Sequence, residues 1–209
     1  MGPELDELFL VDGPEPWRGA GFDPDGDTVA VGSVRLRLGR PGKRGIAGWS
    51  LRGTATTELD GLDTRLSAAP PAVGVPHPNG VVSIDHLVVM SPALDRTVAA
   101  LEAAGFELRR LREEETPGGS FRQAFFRMAE VILEVVEAPA ELGLRAGGPA
   151  RLWGISFLVE DLDATAAALG DLLGSPRDAV QPGRRIATLH REAGIGTAVA
   201  FMSPGPGAA

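Results

Sequence analysis

IDHLVVMSPALDRTVAAL, residues 84–101, has a second copy in LWGISFLVEDLDATAAAL, residues 152–169. At a constant offset, Leu94, Asp95 and Leu101 match identical residues in the second copy. Each copy begins with a β-rich apolar run and then changes to a helical period of apolar residues. The repeat therefore predicts two units that each begin with a strand and continue with a helix.

Strand-like runs follow both predicted helices and complete the two units. They cover residues 106–113, 121–128 and 130–137 in the first unit and 178–180, 184–191 and 197–202 in the second. Each unit is therefore predicted to be βαβββ, the first over 81–139 and the second over 150–205. One such unit cannot cover both faces of its sheet. We expect an α+β fold in which the helices cover one face and curved mixed sheets surround a cleft on the other.

The other segments are predicted from their composition. Residues 1–66 contain short strand-like runs and little room for a full first helix, which predicts an atypical β-rich appendage, a shortened or degenerate relative of the same unit. Residues 67–80, SAAPPAVGVPHPNG, predict an extended Pro-rich linker in which His77 is solvated. The last residues, 206–209, predict a flexible tail.

Charge and cysteine content exclude several classes of function. The 209 residues carry a net charge of −8, which repels phosphate backbones and anionic lipid, so we expect neither nucleic acid nor a membrane as partner. No apolar run approaches the roughly 18 residues of a membrane span. The absence of cysteine excludes disulfides and thiolate chemistry, and it favours a cytoplasmic location.

The first strand of the first unit contains a histidine among apolar residues. Strand alternation puts Ile84, His86 and Val88 on one face and Leu87 and Val89 on the other. If Leu87 and Val89 pack under the helix, His86 faces the cleft. His86 is therefore a candidate for binding a ligand or a metal.

A metal site could be built on His86 and on Glu134 in the last strand of the same unit, because imidazole nitrogen and carboxylate oxygen both bind divalent metals. The alternative is a hydrogen-bonded polar pair in the cleft. A metal site usually needs at least three protein ligands. The equivalent positions of the second unit are Gly154 and Ala200, which have no donor side chain, while His190 is either a third ligand, a general base or a surface histidine.

Further candidates for the cleft are cationic, amide and aromatic side chains. Arg122 or Arg184 would bind an anionic group through the two-pronged geometry of guanidinium. Gln123 follows Arg122 and is a candidate for a polar contact with the ligand. Phe126 and Trp153 are candidates for an apolar wall.

These residues and runs resemble the vicinal oxygen chelate superfamily, which includes glyoxalase I, bleomycin-resistance proteins and extradiol dioxygenases. The resemblance spans about residues 81–204. Its matching stretches are residues 84–89, the predicted helix from Leu94 to Gly105, residues 131–139 and residues 159–163. It implies a glyoxalase-like domain made of paired βαβββ units.

The resemblance also implies where metal ligands would lie, since the superfamily's enzymes take them from the first and last strands of both units. His86 and Glu134 match two of these positions, whereas Gly154 and Ala200 depart from the other two. The chain is therefore similar to the members that bind a small organic molecule without a complete metal site. One alternative is a lyase, isomerase or dioxygenase that uses Zn²⁺, Fe²⁺ or Mn²⁺, and another is a partner-binding or structural module whose cleft is filled. A homodimer is a further implication of the resemblance.

Overall fold

The structure is a computed structural model that describes residues 2–116, 119–138, 144–145 and 147–205, without the side chains of residues 115, 116, 119 and 120. The predicted tail at 206–209 lies outside the described residues. None of the described helices is long and apolar enough to cross a membrane.

The repeated part of the chain forms one eight-stranded sheet. Its elements are β6 (Val81–Ser91), α2 (Leu94–Ala103), β7 (Glu107–Thr116), β8 (Gly119–Met128), β9 (Val131–Glu137), β10 (Arg151–Val159), α3 (Leu162–Leu169), β11 (Arg177–Asp178), β12 (Arg185–Thr188) and β13 (Ala198–Met202). The strand order is β11-β12-β13-β10-β6-β9-β8-β7. In each unit the first strand runs parallel to the last, and β6 and β10 join the units antiparallel to one another. The prediction of paired βαβββ units in an α+β fold is confirmed.

The two helices of the repeat use equivalent residues to reach the core. The side chain of Asp161 accepts hydrogen bonds from the backbone N–H groups of Asp163 and Ala164, at 2.9 and 3.1 Å, and so caps the start of α3. Both helices bury one stripe against the sheet, which consists of Leu94, Thr97 and Leu101 in α2 and Leu162, Thr165 and Leu169 in α3. No helix of the described residues contributes to the cavity on the opposite face of the sheet.

The N-terminal region forms a separate five-stranded sheet. Its elements are β1 (Glu4–Leu10), α1 (Pro14–Gly19), β2 (Thr28–Val31), β3 (Val34–Arg37), β4 (Ile46–Arg52) and β5 (Thr64–Leu66), in the sheet order β2-β3-β1-β4-β5. An antiparallel central pair, β1 and β4, has a parallel neighbour on each side, as β6 and β10 have in the larger sheet. The N-terminal sheet therefore repeats, with shorter strands, the arrangement at the centre of the larger sheet.

Aromatic side chains join the smaller sheet to the larger one. Trp17 of α1 lies edge-on to Phe22, with ring centroids 5.1 Å apart, and to Phe157 of β10, at 6.3 Å. Further along the same interface, Trp49 of β4 stacks on Phe106 at 6.4 Å. The convex face of the larger sheet is thus buried by the two helices and by the N-terminal sheet, which leaves the concave face for function.

The predicted linker, residues 67–80, contains no helix or strand, but it is held in place by hydrogen bonds. The backbone N–H of Ala72 donates to Ser33, and that of Val75 donates to Ala30. His77 is only 7% exposed, so the prediction of a solvated histidine is wrong. The reason is a pair of backbone partners that proline spacing does not reveal: Nδ1 accepts from the N–H of Asp23 at 3.2 Å, and Nε2 lies 3.1 Å from the carbonyl oxygen of Ala30.

The buried His77 makes stability depend on pH. Burial lowers its pKa, and this outweighs the opposing effects of the Ala30 hydrogen bond and the Asp23 charge. The pKa of His77 in the folded chain lies below its unfolded value of 6.5. The contribution of neutral His77 to folding stability is therefore complete above pH 6.5, and it is lost as the pH falls through the pKa of the folded state. Urea unfolding at a series of pH values should therefore show a steeper acid loss of stability in the wild type than in His77→Gln. Parallel pH curves for the two proteins would contradict this placement.

Candidate functional site

A cavity of about 700 Å³ opens on the concave face of the eight-stranded sheet. Both complete units contribute to its wall, the first through β6 to β9 and the second through residues 177–181, β12 and β13. Its apolar side chains include Phe125, Ile132, Ile186 and Met202. Its polar side chains include His86, Gln123 and Glu134, together with five arginines at positions 109, 110, 112, 127 and 177.

A β-bulge in β6 decides which of its side chains face this cavity. Ser156 of β10 lies opposite His86, but the next residue, Phe157, lies opposite Ile84. Asp85 is therefore the extra residue of the bulge and has no residue opposite it in β10. A bulge re-aims the side chains on one side of it. Ile84 is therefore buried in the core, at 1% exposure, and the prediction that it shares a face with His86 is wrong. Asp85 lies beside His86 instead.

His86 is oriented by its neighbour in the bulge. Its Nδ1 lies 2.7 Å from Oδ2 of Asp85, and Arg184 donates from Nη2 to the other oxygen of that carboxylate at 2.6 Å. Burial acts to raise the pKa of Asp85, but the hydrogen bonds from His86 and Arg184 outweigh it and hold the pKa below its usual value. Because an ionised carboxylate only accepts hydrogen bonds, Nδ1 carries a proton, and Nε2 is the atom turned toward Glu134.

Glu134 is the acidic side chain of the cavity wall. Its Oε2 lies 3.8 Å from Nε2 of His86, and Gln123 donates a hydrogen bond to its Oε1. Arg112 in turn donates to Oε1 of Gln123 at 3.4 Å. Burial raises the pKa of Glu134, against the opposing effects of His86, Gln123 and Arg112. The structure therefore places Glu134 beside His86, as their strands predicted, and it adds Gln123 and Arg112 as neighbours that the sequence did not connect to Glu134.

The residues present do not complete a metal site of the kind that the resemblance implies. Among the described residues, no group of three or more His, Cys, Asp and Glu side chains is placed to hold a metal ion. A Cβ added at Gly154 would lie 3.2 Å from both Cβ and the carbonyl oxygen of Ala198. The neighbouring strand therefore leaves little space for a side chain at that position. Ala200 also offers no donor, and His190 is used elsewhere, with Nδ1 3.0 Å from the carbonyl oxygen of Asp171. His86 and Glu134 are left as two donors, fewer than a catalytic zinc site uses.

The two arginines predicted to hold an anion are engaged in ion pairs. Arg122 points away from the cavity, toward α2, where it pairs with Asp95 at 2.7 Å and approaches Glu137 at 3.7 Å. Arg184 is not part of the cavity wall, and its connection to the site is the ion pair with Asp85, which in turn contacts His86. The reason for the placement of Arg122 is strand parity, since Gln123 and Phe125 take the cavity face of β8.

The predicted aromatic wall is provided by a different residue. Phe126 borders the cavity but is fully buried, and its ring lies edge-on to Phe106 on the helix side of the sheet. Trp153 lies outside the cavity wall and is 45% exposed, because the pairing of β10 with β6 shifts register there. The neighbour of Phe126, Phe125, supplies the aromatic side chain in the cavity.

Comparisons with known proteins give the fold a name. A xylose isomerase-like TIM barrel/4-hydroxyphenylpyruvate dioxygenase fusion protein matches 100% of this chain at 12% identity and a TM-score of 0.67, and the chain spans 50% of its length. A mutant 4-hydroxymandelate synthase from Streptomyces coelicolor matches 97% of this chain, over 93% of its own length, at 16% identity and a TM-score of 0.63. Methylmalonyl-CoA epimerase from Mycobacterium tuberculosis matches 61% of this chain, over 91% of its own length, at 18% identity and a TM-score of 0.49.

These likenesses show the fold alone. The first two proteins, with TM-scores of 0.67 and 0.63, have the vicinal oxygen chelate, or glyoxalase-like, fold, and the predicted resemblance is confirmed at that level. The first two cover the N-terminal sheet as well as the repeat, because they match all or nearly all of the chain. No protein-family model and no curated protein matches the sequence.

Proposed function

We propose that this chain, which has the vicinal oxygen chelate fold, binds a small organic molecule in the cavity between its two complete units, without a complete metal site. The observation that carries the proposal is the open space of about 700 Å³ beside the half-buried His86 and Glu134. Apolar side chains beside oriented polar groups are typical of a small-molecule site, and this wall contains both.

The alternatives account less well for this arrangement. A structural module with a filled cleft does not match a concave face that the described side chains leave open. A metal-dependent lyase, isomerase or dioxygenase would need a third donor next to His86 and Glu134. The oriented pair instead offers Nε2 of His86 and the carboxyl group of Glu134 to a polar ligand, which requires no ion.

The proposal is tested by a thermal-shift screen with small organic acids and neutral aromatic compounds. A ligand that binds only the folded chain should stabilise it by about 2.7 kcal/mol at a hundredfold excess over its Kd, and the shift should grow with concentration. Ala179→Trp places an indole in the cavity wall and should abolish the shift. Val73→Trp, at an exposed position outside the cavity, should leave the shift intact.

Two results would overturn the proposal. The first is a screen in which no compound gives a concentration-dependent shift. The second is a set of shifts that Ala179→Trp retains in full, since the compounds would then bind outside the cavity.

A further inference from the structure

The cavity has the opposite charge to the rest of the chain. The sequence carries a net charge of −8, yet the described residues of the cavity wall combine one carboxylate, that of Glu134, with five arginines. These arginines are Arg109, Arg110, Arg112, Arg127 and Arg177. A concave surface lined by charges of one sign concentrates ligands of the other sign.

Strand pairing explains why so many arginines share one surface. Arg110 lies directly opposite Phe125, and Arg127 lies directly opposite Ile132, so both belong to the face of the apolar wall. Arg177 of β11 lies opposite Ile186, which puts it on the same face at the far side of the cavity. Arginine side chains therefore line the cavity on two opposite sides.

Two of the five arginines have carboxylate partners. Arg109 pairs with Glu107 at 2.5 Å, and Arg112 pairs with Glu114. Glu107 is also the cross-strand neighbour of Arg127, but its carboxylate is bonded to Arg109.

The other three have no acidic partner in the part of the chain whose side chains are described. Among residues whose side chains are described, no carboxylate lies within ion-pair distance of Arg110, Arg127 or Arg177. Three like charges without a counter-ion repel one another, and a bound anion would remove that repulsion while gaining charge-assisted hydrogen bonds.

We infer that the ligand is an amphipathic organic anion, whose carboxylate or phosphate group binds the guanidinium groups of Arg110, Arg127 and Arg177. Its apolar part packs against Phe125 and Ile132. The inference rests on the proposed function, which supplies the cavity as the binding site. It adds the charge of the ligand and the side chains that recognise it.

The test compares two fluorescent probes with the same apolar body. 8-Anilinonaphthalene-1-sulfonate carries an anionic group, and N-phenyl-1-naphthylamine is its neutral counterpart. The wild type should bind the anionic probe roughly tenfold more tightly than the neutral one. Each of three single substitutions, Arg110→Gln, Arg127→Gln and Arg177→Gln, should lower the affinity for the anionic probe several-fold. The affinity for the neutral probe should change by no more than about twofold.

Arg151→Gln is the matched control, because Arg151 is an exposed arginine outside the cavity wall and its loss should change neither affinity. Equal affinity for both probes, unchanged by the three cavity substitutions, would overturn the inference and leave the proposed function standing. Binding of neither probe, or binding of both that Ala179→Trp leaves intact, would count against the proposed function itself.

Competition then distinguishes the two anionic groups. 2-Naphthoate and 2-naphthyl phosphate should displace the anionic probe from the wild type, and the tighter competitor identifies carboxylate or phosphate as the preferred group. Neutral 2-methylnaphthalene should displace it at least tenfold less effectively. Equal displacement by all three compounds would contradict recognition of the charge.

Discussion

Replacing Trp17 with alanine is expected to lower the free energy of unfolding by about 3–5 kcal/mol. Trp17 is fully buried between the N-terminal region and the larger sheet, where it contacts Phe22 and Phe157. Removing the indole leaves a large cavity at the junction of the two sheets, and the surrounding aromatic rings cannot close it without moving both. Chemical denaturation followed by far-UV circular dichroism measures the loss.

Trp17→Phe is the matched control. It keeps an aromatic ring at the same place and removes an indole N–H that has no hydrogen-bond partner, so its cost should be about 1.5 kcal/mol or less. If Trp17→Ala costs less than about 1 kcal/mol, or if the larger sheet unfolds at an unchanged denaturant concentration, the N-terminal sheet is not part of a shared core.

Asp6→Asn is expected to destabilise the chain by about 3–5 kcal/mol, because it removes the negative charge at the centre of a buried ion cluster. Asp6 is 1% exposed, and its Oδ1 accepts from Arg35 at 2.8 Å and from Arg52 at 2.5 Å. Its other oxygen accepts from Ser67 at 2.5 Å, at the start of the 67–80 segment. Asparagine keeps the shape but leaves two guanidinium groups without their shared carboxylate.

The control for Asp6 is an exposed ion pair in the same region. Glu15 pairs with Arg18 at 2.5 Å, but the side chains are 82% and 45% exposed, so Glu15→Gln should change stability by about 0.5 kcal/mol or less. Equal effects of Asp6→Asn and Glu15→Gln in urea unfolding would show that the buried cluster contributes no more than a surface pair.

The repeat was readable from the sequence because its signal is local and occurs twice. The same apolar stripe marks both helices, from Leu94 to Leu101 and from Leu162 to Leu169, so each copy supported the other. The pairing of His86 with Glu134 followed from their strands alone. The equivalent positions in the second unit, Gly154 and Ala200, could also be located, and neither has a donor side chain.

What could not be read depends on single-residue shifts of register. The bulge at Asp85 moves Ile84 into the core and brings a carboxylate to His86, but its only sequence signal is a polar pair within an apolar strand. A second shift, between Leu108 and Arg110, turns consecutive arginines toward the cavity. A shift of one residue changes the face to which every following side chain points, so alternation in the sequence does not reveal that Arg109 and Arg110 both face the cavity.

His77 was misplaced for a different reason. Its proline neighbours indicate an extended chain, and that part of the prediction agrees with the absence of a helix or strand at 67–80. Whether an extended chain is solvated depends on what lies beside it, and the partners of His77 are more than forty residues away, at Asp23 and Ala30. Contacts of that range leave no local pattern.

The most direct measurement is a crystal structure of protein grown with Zn²⁺ and soaked in 2-naphthoate, with diffraction recorded at the zinc absorption edge. The naphthyl group should lie against Phe125 and Ile132 with its carboxylate among Arg110, Arg127 and Arg177, and no anomalous peak should lie between His86 and Glu134. A zinc ion held there by three or more protein atoms would contradict the account, and so would a cavity that the soaked compound does not enter.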